Sequence, residues 1–344
     1  MNKTLIALAV AAVTTNASAV ELYNENGTTF DIGGHVSVGV EGSQERDTAV
    51  NAVSPRINFN ATHDIGHGFV VDAKGEWALN YLNGGETALT TRLGYGGITH
   101  EAYGRAVVGT QWAPQYSVSG VADKPIAFAN DFIYDNHGSL GTGRADKMVS
   151  YSNDLDLADA GIIKFGAGWQ GAHTDSVDTE NVDNNGNVSV TRSKEHYGQR
   201  AQATLTYLIQ DFSLGYAYNT GKVDNKDVIF NVASATYGTY GKGLYVAGVY
   251  QIQDGTKSDA NDKLTSQEAL LAYAFDNSLN LSVNYEMQKS DISTYDVEYA
   301  TSAIQAEYNF TKQFVGYAGY EFELDNNTAS KEGNHWMFGA RYYL

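Results

Sequence analysis

The sequence predicts an all-β protein, a transmembrane antiparallel up-and-down β-barrel of sixteen strands, and three observations carry that prediction. Segments of about ten residues alternate apolar and polar side chains with period two. The connections between them alternate short and long, and after an export signal no apolar run is long enough for a membrane helix. Composition narrows the field first. The 344 residues hold 40 acidic and 22 basic side chains, a formal charge of −18, with 36 Gly, 24 Tyr, 3 Pro and no Cys. Without Cys there is no disulfide framework, thiolate metal site or Cys nucleophile. The acidic excess argues against nucleic acid as a partner, because a polyanion is held through Lys and Arg contacts. Charged residues make up 18%, below the roughly 25% of an ordinary soluble domain.

At the start, Asn2-Lys3, the apolar stretch Leu5 to Val13 and Ala17-Ser18-Ala19 supply a positive segment, a short apolar core and a small-x-small site. That is the pattern of a secretory signal peptide over residues 1–19, cleaved after Ala19. Residues 20–344 then form the barrel.

In the body, neighbouring strand residues face opposite sides of the sheet, so a half-buried strand is apolar at every second position. From Leu279 to Gln288 the odd positions are Leu279, Leu281, Val283, Tyr285 and Met287, against Asn280, Ser282, Asn284, Glu286 and Gln288. Phe30, Ile32, Val36, Val38 and Val40 oppose Asp31, His35, Ser37 and Glu41, and Ile304, Ala306, Tyr308 and Phe310 oppose Ala303, Gln305, Glu307 and Asn309. The same alternation places strands near residues 30–42, 54–64, 69–79, 89–99, 105–111, 144–153, 161–172 and 198–207. It continues with 212–219, 228–237, 243–253, 266–275, 279–288, 299–310, 314–324 and 334–344. An even count lets the first strand pair with the last and removes the sheet edges.

Turns of a few residues are expected at 65–68, 208–211, 238–242, 276–278 and 311–313. Longer polar connections fall at 80–88, 113–143, 173–197, 254–265, 289–298 and 325–333. Short turns at one end and long loops at the other fit a membrane barrel; a soluble sandwich has no reason for that asymmetry. Tyr207, Phe212, Phe275, Phe310 and Phe314 flank short turns, and Trp77, Trp169, Tyr250 and Trp336 lie toward long loops, as two interfacial girdles require.

Three places resemble the general porins of Gram-negative outer membranes, a family of trimeric 16-stranded barrels. Val20-Glu21-Leu22-Tyr23 with Gly27 and Phe30 to Val36 is similar to the family's opening into its first strand. Trp336, Phe338, Ala340, Tyr342 and Leu344 on one face are similar to the C-terminal signal read by the barrel assembly machinery, with Leu344 where Phe is usual. Ala113 to Gly143 matches in place and length the third loop that folds into the pore, a constriction loop over residues 112–143.

The resemblance implies inward basic residues facing acidic residues on that loop. The basic candidates are Arg56, Arg92 and Arg144, and the loop candidates are Asp123, Asp131 and Asp135. Parity agrees for the second strand: Ile57, Phe59 and Ala61 face lipid, so Arg56, Asn58, Asn60 and Thr62 look inward, and the same argument turns Lys74 inward. The family's Pro-Glu-Phe-Gly motif is absent, with Lys124-Pro125-Ile126 nearby, and His35 stands where the family often has Lys. Opposite charges ~8–10 Å apart at an effective dielectric near 20 attract by roughly 2 kcal/mol, enough to orient a dipolar solute without trapping it.

The expected function is passive diffusion of small hydrophilic solutes and ions through a wet lumen, with modest cation preference from the acidic excess. A substrate-specific channel would use an inward aromatic track, for which Tyr245, Tyr317 and Tyr343 have the right parity. An outer-membrane hydrolase would need a catalytic set, and His35, His63, His67, His100, His137, His173, His196 and His335 are scattered. The acidic run Asp175, Asp178, Glu180 and Asp183 could bind divalent cations but reads first as a solvated loop. The expected partners are the lipid bilayer and lipopolysaccharide, the barrel assembly machinery and two further copies of the chain. No cofactor and no metal is expected.

Overall fold

The computed structural model describes residues 19–82, 88–134, 137–182, 188–255, 262–292, 295–326 and 333–344. Residues 1–18 of the expected signal peptide, and Asp135, lie outside them. The strands are β1 (Val20–Glu25), β2 (Thr28–Ser43), β3 (Ala49–Asn51), β4 (Arg56–Gly66), β5 (Phe69–Leu79), β6 (Leu89–His100), β7 (Gly104–Trp112), β8 (Arg144–Asp156), β9 (Ile162–Gln170) and β10 (His173–Val182). They continue as β11 (Val188–Tyr197), β12 (Arg200–Ile209), β13 (Phe212–Val223), β14 (Lys226–Thr239), β15 (Lys242–Asp254), β16 (Lys263–Ala274), β17 (Leu279–Ile292), β18 (Tyr295–Asn309), β19 (Phe314–Asn326) and β20 (His335–Tyr343). All belong to one antiparallel sheet. Sixteen are staves of a closed barrel: β2, β4 to β9 and β12 to β20. Each expected strand coincides with one of them.

Closure is made by β2. Its second half pairs with β20, from His35 opposite Tyr343 to Ser43 opposite His335, and its first half pairs along the same edge with β1, from Val20 opposite Ile32 to Glu25 opposite Thr28. β1 and β20 therefore lie end to end against one strand, with the Leu344 amide donating to the Gly34 carbonyl at 3.0 Å. Along the other edge, β4 runs from His35 opposite Arg56 to Thr28 opposite His63, and β3 continues above it. Gly34 has φ of +129°, and a Cβ there would collide with the Arg56 carbonyl, so this close seam requires glycine.

The barrel is inverted relative to a soluble domain. Outward side chains are apolar and exposed, as with Leu214 at 61% and Ile304 at 50%, while many inward ones are polar and covered, as with Asn219 at 0% and Gln251 at 1%. Aromatic rings pair near the short turns, Phe212 with Tyr237 at 4.9 Å and Tyr308 with Phe310 at 4.9 Å, and near the long loops, Trp336 with Phe338 at 5.9 Å.

Some connections differ from expectation. The gap left between the strands at 212–219 and 228–237 closes as a two-residue turn, Asp224-Asn225, with φ of 47° and 69°. Two positive φ values match the twist of a hairpin, and Asp and Asn tolerate them. Most of the expected loop 289–298 is strand, because Lys289 and Glu298 pair across β17 and β18. The expected loop 173–197 is built as a second-tier hairpin, β10 with β11, whose register runs from His173 opposite Tyr197 to Val182 opposite Val188. Charged and Thr-rich strands of this kind lack the apolar face that identifies a stave.

Candidate functional site: the lumenal loop and the basic wall

Between β7 and β8 the chain lies against the inside of the wall. It carries α1 (Tyr116–Ser119), a 3-10 turn at Phe132–Tyr134 and α2 (His137–Leu140). Two kinds of contact seat it. Val118, Ala122 and Ile133 pack on inward apolar residues of β13 to β16, Ala217, Val232, Tyr245, Ala247, Val249, Leu270 and Ala272. Extended backbone has no helix of its own to pair with, so its N–H groups go to side chains on the wall. Ile126 donates to Glu307 Oε1 at 2.7 Å, Phe128 to Gln305 Oε1 at 2.8 Å, Asp131 to Glu286 Oε2 at 2.9 Å and Ile133 to Glu268 Oε1 at 2.9 Å. The return leg is held through its carbonyls: Gln170 Nε2 donates to Gly138 at 2.8 Å and Gln202 Nε2 to Gly141 at 2.6 Å.

Across the lumen the expected basic residues come together around one carboxylate. Arg92 Nε lies 2.9 Å and Arg56 Nη1 3.7 Å from Glu76 Oε1. Arg144 has Arg92 and Glu76 as charged neighbours, and Lys74 has Glu76 and Arg56. Arg92 owes its direction to a bulge: Glu76 pairs with Leu93 and Trp77 with Thr91, leaving Arg92 as the extra residue. Bulges re-aim side chains in this way.

On the loop, Asp123 accepts the Tyr116 hydroxyl at 2.6 Å and is also hydrogen-bonded by Tyr134. Trp112 stacks on Tyr116 at 4.0 Å, and Tyr134 meets Tyr116 edge-on at 5.3 Å. Burial, then the Asp123 carboxylate, push both tyrosine hydroxyls well above the ordinary phenol range. Burial pulls the Lys124 ammonium down to about 8 although Asp123 beside it favours the charge; its Nζ donates to the Gly120 carbonyl at 2.8 Å. Tyr116 feels the Arg56 charge, so the aromatic cluster carrying Asp123 faces the arginines. Asp131 is exposed, its amide held by Glu286.

Strand order, the lumenal segment and the opposed charges describe a pore, and the family comparison decides which kind. The family profile described as Gram-negative porin matches residues 4–329. The chain belongs to the Gram-negative porin family. It is 26% identical to outer membrane protein S2 of Salmonella typhi over 94% of this chain and 93% of that protein. Its fold superposes on Salmonella typhi OmpF, solved in complex with daunomycin, with a TM-score of 0.75 at 19% identity, over 94% of this chain and 100% of that one. It also superposes on the trimer form of OmpT of Vibrio cholerae, with a TM-score of 0.66 at 15% identity, over 93% and 100%. The porin is an outer-membrane channel for passive diffusion, and its family consists of channels rather than enzymes.

Two groups in this porin escape sequence reasoning. Arg341 on β20 stands opposite Ser37 and is a charged neighbour of Arg56, with its Nη2 donating to the Val53 carbonyl at 3.1 Å. The parity of Trp336, Phe338, Ala340 and Tyr342 already turns it inward. Glu268, Glu286 and Glu307 have inward parity too, but nothing in the alternation says that a loop covers them. Tyr245, Tyr317 and Tyr343 do face inward, yet all are buried, and the Tyr245 hydroxyl donates to the Val121 carbonyl at 2.7 Å. They seat the lumenal segments and form no open aromatic track.

Proposed function

We propose that the porin passes small hydrophilic solutes and ions with modest cation preference, through a constriction set by residues 112–143. Arg56, Arg92, Arg144 and Lys74, with Arg341, supply the positive side, and Asp123 and Asp131 supply the negative side of a transverse field. Asp135 belongs to the same loop. The observation that carries this reading is the gathering of all four expected bases around Glu76, facing the Tyr116 and Tyr134 pair that holds Asp123. The cation preference rests on the acidic excess of the chain, 40 acidic against 22 basic side chains, to which the loop's acids belong. We assign the protein no catalytic step.

Three chains associate as a trimer, the signal peptide leaves after Ala19, and the outward face meets lipid and, at the long-loop end, lipopolysaccharide. The last strand, ending Tyr342-Tyr343-Leu344, is the segment offered to the barrel assembly machinery. Planar-bilayer recording in asymmetric KCl tests the reading. The expected record has three conductance steps per insertion and a reversal potential of cation sign. No open-channel current, or a reversal potential of anion sign, overturns the corresponding part.

A further inference from the structure

We propose that the base of the β10–β11 hairpin and the return leg of the lumenal segment form a binding site for a transition-metal ion of the zinc class. Its protein ligands are His173 Nε2 and Asp175 Oδ2, with Ser139 holding the carboxylate. His173 opens β10, and its side chain is 4% exposed. Its ring stacks on Tyr197 across the hairpin, with centroids 5.0 Å apart and planes 9° from parallel, so its direction is fixed. Nδ1 lies 3.2 Å from the Gly171 carbonyl. A bond to a carbonyl requires the proton on Nδ1, so in the neutral ring Nε2 carries the lone pair, the arrangement that outer-shell carbonyls impose on metal-binding imidazoles.

That lone pair has no hydrogen-bond partner in the protein and points at Asp175 Oδ2, 3.6 Å away. A lone pair facing a carboxylate oxygen is repulsive, and a cation between them turns both contacts attractive. Two ligands each about 2.1 Å from a tetrahedral ion stand about 3.4 Å apart, close to the separation found. Ser139 Oγ on α2 donates to Asp175 Oδ2 at 2.6 Å and orients it. Glu195, opposite Asp175 in the hairpin register, adds negative charge while accepting the Tyr197 hydroxyl at 2.6 Å. Two protein ligands leave the remaining positions to water. An imidazole nitrogen favours zinc-like ions over calcium or magnesium, which take oxygen ligands. In the sequence the acidic run beginning at Asp175 reads as solvated; His173 stands two residues before its first member, and the fold brings Ser139 to it. An ion held there joins the outer hairpin to the leg of the loop that α2 occupies.

The test uses the purified full-length porin and zinc chloride alone, read by calorimetry and by anomalous diffraction at the zinc edge. One zinc per chain is expected, with the anomalous peak between His173 and Asp175. His173→Phe, which keeps the stack on Tyr197, weakens binding by more than about tenfold, and so does Asp175→Asn, which keeps an acceptor for Ser139. Undiminished affinity in both variants, a peak elsewhere on the chain, or no zinc bound by the wild type overturns the proposal. Wild type that binds no zinc but carries a proton on both ring nitrogens by NMR identifies a plain imidazolium pair and also overturns it. Because binding is read directly, the result is independent of the channel's selectivity.

Discussion

The lumen wall made by β2, β4, β5, β6, β8 and β20 and the wall made by β12 to β18 both carry inward charges, and they use them differently. On the first, Arg56, Arg92, Arg144, Lys74 and Arg341 gather near Glu76, and in the proposed reading their excess charge acts on what passes. On the second, Glu268, Glu286 and Glu307 are nearly inaccessible and spend their lone pairs on loop amides. Inward charges at the same strand parity thus fasten a backbone on one side and, in the proposed reading, set a field on the other. What decides is whether a segment of chain lies over it. Mutations on the loop-bearing wall should therefore alter the size of the opening, and mutations on the basic wall its selectivity.

The strongest test of that division is Val118→Asp, which buries a carboxylate among Ala217, Val232 and Tyr245. An uncompensated buried charge costs ~3–5 kcal/mol, so the loop should leave its seat. Liposome swelling should then admit solutes larger than the wild type does, while the heat stability of the barrel is kept; unchanged exclusion would mean that the loop does not set the opening. Glu286→Ala comes next. It strips the acceptor from the amides of Asp131 and Phe132, at ~1–3 kcal/mol for an orphaned buried donor. Single-channel records should show frequent excursions to higher conductance with little change in reversal potential.

On the basic wall, Arg341→Gln should do the reverse. A unit charge ~10 Å from a permeating ion in water is worth ~0.4 kcal/mol, with opposite sign for cations and anions, so cation-over-anion permeability should rise about fourfold at unchanged solute cut-off. A changed cut-off would blur the division between the walls. The smallest effect is expected from pH. Burial lowers the Lys124 ammonium to about 8, below its unfolded value. The docked state then loses its proton before the undocked chain does, and docking strengthens as pH rises from about 8 toward the unfolded pKa. Reversal potentials should shift toward cations through pH 8 in the wild type and not in Lys124→Met.

How much of this was legible in the sequence follows from what period two can encode. It fixes which face of a strand a residue occupies, so all sixteen staves, the inward turn of Arg56 and Lys74 and the lipid-facing residues could be read directly. It does not encode depth along the barrel or what covers a residue. Arg341 had the right parity but no neighbour in sequence to mark it as part of a cluster. Glu286 and Glu307 looked like ordinary wet-lumen residues because the loop over them is more than 150 positions away. Asp123 could not be separated from Asp131 by spacing; it is distinguished by two tyrosine hydroxyls, which only the folded loop brings to it. Asp224-Asn225 was legible in principle, since that pair suits a tight hairpin, but polar flanks hid the strand ends.

The seam at β2 has a consequence for biogenesis. Because β1 and β20 share one edge of β2, the ring cannot shut until the nine residues of β20 have been made, and the second half of that edge of β2 stays unpaired until then. Pairings that span the entire chain are slow to form and expose sticky edges meanwhile. The residues of β20 therefore act as the clasp of the ring, and everything before them stays an open sheet until they arrive.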